Sequence, residues 1–69
     1  MRTTYLVAFR HDTLLGMPAV EQISLDNPPS DSTELVQRLK LAIASRFNWS
    51  VLPTVGAVYG DDKVVHGDY

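Results

Sequence analysis

The nearest approach to a reactive set in these 69 residues is His11, Asp12, His66 and Asp68. Two imidazoles and two carboxylates are ligands zinc accepts, if the end of the first strand were to meet the end of the last. Their local spacings carry no metal-binding motif, so the simpler reading is loop and terminal histidines in water. Asp61 and Asp62 form a consecutive acidic pair. Catalytic carboxylates must flank a bond or a metal with their pKa values pushed apart. Neighbouring carboxylates in a turn instead point apart into solvent. A calcium loop of the familiar kind also needs spaced oxygen ligands and a twelfth-position glutamate, which this segment lacks.

Nucleophiles fare no better. Ser24, Ser32, Ser45 and Ser50 lack a G-x-S-x-G setting and a histidine close in sequence. Gly56 and Gly60 do not form a phosphate-cradling loop. With no cysteine in the chain, disulfides, thiolate zinc sites and cysteine nucleophiles are all excluded. The expectation is a protein that is not an enzyme and takes no cofactor.

Charge narrows the partner classes. Arg2 and Arg10 give residues 1–10 a charge of +2, while Asp12, Glu21 and Asp26 give residues 11–30 a charge of -3. Residues 31–50 return to +1 and residues 51–69 carry -2, for a net charge of -2. Phosphate binding needs a concentration of positive charge that this alternation does not supply. Nucleic acid is therefore an unfavoured partner. The apolar run YLVAF is too short for a secretory core or a membrane span, so no membrane partner and a cytoplasmic location are expected.

The elements that would position these groups are few. Residues 31–46, DSTELVQRLKLAIASR, have the pattern of one amphipathic helix with its cap, and the helix itself is placed at 32–47. Leu35, Val36, Leu39, Ala42, Ile43 and Phe47 recur at three- and four-residue steps on one face. Asp31 and Glu34 have capping-box spacing, with Ser30 or Ser32 as alternative caps. Arg46 lies beside the stripe, where its aliphatic stem can cover apolar surface.

Residues 2–10, RTTYLVAFR, form a strand with apolar residues on both faces, which suits a central position or a second face covered by a partner. Residues 19–25 form a weaker, edge-type strand. Residues 51–59 and 64–66 supply two more, with Pro53 forcing an edge or bulge and Gly60–Asp61–Asp62–Lys63 as the turn between them. The expected fold is α+β: residues 1–69 as a single compact ββαββ domain. Its one central helix packs on a mostly antiparallel, three- or four-stranded sheet.

Tyr5, Phe9, Trp49 and Tyr59 could stack on single-stranded RNA, yet a small sheet also needs bulky residues against its helix. Trp49, just past the helix, could close the end of that core. Leu14, Leu15 and Met17 sit in a loop around Gly16, and Leu41 falls about 200° from Leu39, almost opposite the apolar stripe. Apolar groups gathered on a surface mark an interface. The sequence therefore points to a small non-enzymatic adaptor or inhibitor that binds another protein by docking or occlusion. Tyr5, Leu14, Leu15, Met17, Leu41 and Tyr59 are its candidate contact residues. A homo-oligomeric structural protein, pairing with a second copy of itself, and a single-stranded RNA-binding module are the alternatives.

Overall fold

In a computed structural model, the described residues are 2–60 and the backbone of 64–66. The chain forms a small α+β fold, one helix packed on a three-stranded antiparallel sheet. Its strands are β1 (Arg2–Arg10), β2 (Ala19–Asp26) and β3 (Thr54–Tyr59), and its helix is α1 (Ser32–Phe47). β1 lies between β2 and β3, pairing antiparallel with both. Val64–His66 runs antiparallel along the outer side of β3 as a three-residue β4, with His66 opposite Ala57. Asp61, Asp62 and Lys63, where the sequence suggests a turn, and Asp68 lie outside the described residues, as does the side chain of His66.

Central placement explains the composition of β1. Tyr5, Val7 and Phe9 face the helix and are buried with Ile23 of β2 and Val55 and Val58 of β3. Against them α1 sets Leu35, Val36, Leu39 and Ile43, every one of them buried. Leu14, Ala19, Leu25, Ala42 and Trp49 pack around this core. Phe47 departs from the expected stripe: at the last helical position it is 41% exposed, its ring lying at the margin of the core beside Phe9 and Trp49.

The helix starts where Asp31, in extended conformation, accepts from the Thr33 amide at 3.1 Å. Capping-box spacing implies the Glu34 amide as the partner, so the cap engages one residue earlier. At the other end Asn48 takes the left-handed conformation, φ 60°, and its N–H reaches the carbonyls of Ala44 and Ser45. The Trp49 N–H then donates to Ala44 at 2.9 Å. These bonds satisfy carbonyls that the last helical turn would otherwise orphan. They also turn the chain so that Trp49 folds back on the core.

β3 begins at Thr54, three residues later than the sequence suggests. Pro53 has no N–H to give a ladder, and its buried ring packs ahead of the strand instead. The pairing with β1 shifts between Ala8 and Phe9: Ala8 faces Ala57, whereas Phe9 faces Val55. Gly56 is thus an extra residue on β3, a β-bulge. Val55 and Val58 are three apart and would point to opposite faces of a regular strand. The bulge turns both toward the helix.

Candidate functional site

His11 follows β1 and caps a short 3-10 turn, Asp12–Leu14. Its Nε2 lies 2.8 Å from the Val51 carbonyl oxygen. A carbonyl can only accept, so this nitrogen carries the proton. Nδ1 is then the acceptor, taking the Thr13 N–H at 3.2 Å and lying 2.9 Å from Thr13 Oγ1. The imidazole stacks on Trp49 with ring centres 3.7 Å apart and planes 5° from parallel. Trp49 stacks in turn on Phe47 at 4.7 Å, and Phe9 meets both rings at about 6 Å.

A hydroxyl beside an imidazole nitrogen has the outline of a nucleophile and its base. Here the same nitrogen also receives the backbone amide of Thr13, so its lone pair is committed to holding the turn. His11 ties β1, the turn and the segment before β3 into one end of the molecule. Metal ligation fits no better, since both ring nitrogens are engaged. The backbone of His66 lies opposite Ala57, which itself lies opposite Ala8. His66 is therefore two strands across and three residues along from His11, about 10 Å in each direction.

Arg10, His11, Asp12, Gly16 and Thr54 line a shallow hollow of about 140 Å³. It joins the β1–β2 loop to the sheet face turned away from the helix. Among the described residues no second layer covers this face, and its centre is apolar. Leu6 (49% exposed), Val20 (63%) and Tyr59 (46%) surround half-buried Ala8 and Ala57. The register sets Val20, Ala8 and Ala57 in one row across the strands, and Gln22, Leu6 and Tyr59 in the next. Beyond them Thr4 and Ser24 share a 2.8 Å hydrogen bond. Arg10 lies at one end of β1, and at the other Arg2 comes within 3.9 Å of Asp26.

The contact residues expected from sequence scatter over this structure. Tyr5 is 5% exposed and belongs to the helix-facing core, so its ring is not offered to a partner. The cause is its position in β1, in phase with Val7 and Phe9. Phe9 is buried too, which removes two of the rings an RNA-stacking surface would require. Leu14 is partly buried against the core. Leu15 (91% exposed) and Met17 (67%) project from the loop, Leu15 in left-handed conformation at φ 54°. Leu41 is exposed on the outer side of α1, across the molecule from Tyr59 on the open sheet face.

Leu6 and Val20 were not among the expected contacts. The two-faced apolar pattern of β1 was the signal for Leu6; Val20 became visible through its pairing with Ala8. Searches against family models, curated proteins and solved structures find no match to this chain.

Proposed function

We propose that this ββαββ domain is a non-enzymatic protein-binding module that docks through its open sheet face. It would serve as a small adaptor or as an inhibitor that covers a partner's surface. The observation that carries the reading is the exposed cluster of Leu6, Val20 and Tyr59 over Ala8 and Ala57. An apolar patch with a polar rim is the usual composition of a docking surface. The occupant we assign is an apolar helix face of another protein. Three strands span about 10 Å from first to last, close to the 10–12 Å width of a helix. A helix laid there would repeat on the open face what α1 does on the other. The rim carries both signs of charge, Arg10 and the Arg2–Asp26 pair, which favours a protein over a phosphate backbone.

The test compares three immobilised proteins in a native lysate: the wild type, Leu6→Thr with Val20→Thr, and Leu15→Ser with Met17→Ser. Both double variants should stay folded by circular dichroism. The sheet-face pair should weaken capture of the main wild-type partner at least tenfold, about 1.4 kcal/mol. A similar loss from the loop pair would extend the surface through the hollow to Leu15 and Met17. Equal capture by all three would sink the reading.

A further inference from the structure

The two edges of the sheet are treated differently. On one side β3 is followed by β4. On the other, β2 is an eight-residue edge strand, AVEQISLD, with no proline, lysine or bulge in it. An edge of this length presents a row of amide groups to any strand that can reach it, and proteins commonly blunt such edges. The side chain of Arg46 crosses this one. Arg46, from the last turn of α1, places Nη1 2.7 Å from Glu21 Oε2 and donates to the Gln22 carbonyl oxygen at 3.4 Å.

That second bond shows which amides face outward. In an antiparallel ladder a residue's N–H and C=O point to the same side, and successive residues alternate. Gln22 directs its carbonyl away from β1, and so Val20, Ser24 and Asp26 share its outward direction. Four residues thus present paired donors and acceptors along the edge.

We propose that β2 is a strand-addition site for the β2 strand of a second copy of this chain, with Arg46 as the cover over its middle. A two-fold pairing centred on Ile23 sets Gln22 opposite Ser24, Val20 opposite Asp26 and Glu21 opposite Leu25. No like charges meet, and the outward amides of one copy face those of the other. The two sheets become continuous, and their open faces lie side by side. Arg46 gives up its long bond to Gln22, while its 2.7 Å contact with Glu21 can remain on the helix side. This association does not rest on what the open face binds, and purified protein alone tests it.

Sedimentation from about 10 µM to 1 mM measures the association, and amide hydrogen exchange at the two extremes locates it. The wild type is expected to self-associate weakly, with added protection at Val20, Gln22, Ser24 and Asp26 in the concentrated sample. Arg46→Ala, which uncovers the edge, should tighten the dimer about tenfold; a purely structural ion pair would give no such gain. Ser24→Pro removes an outward N–H while sparing the ladder to β1, and should leave a folded monomer. If Ser24→Pro does not fold, the wild-type exchange data decide alone. Monomers throughout in both the wild type and Arg46→Ala, or a dimer that leaves those four amides unprotected, would overturn the proposal.

Discussion

Along the middle of β1 the two faces of the sheet are nearly alike in composition and opposite in fate. Tyr5, Val7 and Phe9 are sealed under the helix, whereas Leu6 lies half in solvent one residue away. The difference does not come from the strand. It comes from the number of covering elements: the described residues contain one long helix, and a helix covers one face. Hydrophobicity alone therefore does not say which face of β1 is buried; topology decides which of the two α1 covers.

The sharpest break of this contrast lies in the covering helix. Leu39→Ala should lose about 2–5 kcal/mol, because the removed methyl groups leave a cavity among buried neighbours. Chemical denaturation of both forms measures it, and a loss below about 1 kcal/mol would mean that this side of the sheet is less tightly sealed than its burial indicates. Trp49→Ala comes next, at about 2 kcal/mol, less than a fully buried tryptophan because its ring is partly exposed. Loss of the stack should also release His11, visible as a change in its ring proton shifts. Asp31→Ala removes the N-cap of the covering helix and should cost about 1 kcal/mol in thermal unfolding.

The smallest effect is expected on the open face. Leu6→Thr should change stability by no more than about 0.5 kcal/mol, since the side chain keeps a strand-compatible shape and gives up little burial. A much larger loss in the purified protein would show that Leu6 contributes to the fold rather than awaiting a partner.

Much of this frame was legible in the residues, and the reason is periodicity. The helix at 32–47 follows from apolar steps of three and four plus an acidic cap, all local signals. The central position of β1 follows from its two apolar faces, and the edge position of β2 from its weaker pattern. Illegible features depend on non-local geometry. Tyr5 and Tyr59 look equivalent as strand tyrosines, and register alone sends one inward and the other outward. His11 offered imidazole chemistry, yet its role is set by Val51, forty residues away, and by Trp49 folding back after Asn48. The link between Arg46 and Glu21 joins residues 25 apart, with no mark in the local pattern around either.

The bulge at Gly56 bears on how this chain tolerates a change of length. Most single-residue deletions in a strand invert everything beyond them, exchanging inside for outside. Removing Gly56 would do the reverse. The remaining Thr54, Val55, Ala57, Val58 and Tyr59 alternate regularly, with both valines inward and the pairings of Ala8 and Phe9 left in place. A chain shorter by this residue is closer to an ideal strand than the chain as it stands. What the extra residue adds is curvature, bending β3 where it leaves the sheet toward Pro53 and Val51. Reading frame, in this strand, is thus separable from direction: Gly56 can be lost without scrambling the core, and the loss would be felt at the carbonyl that holds His11.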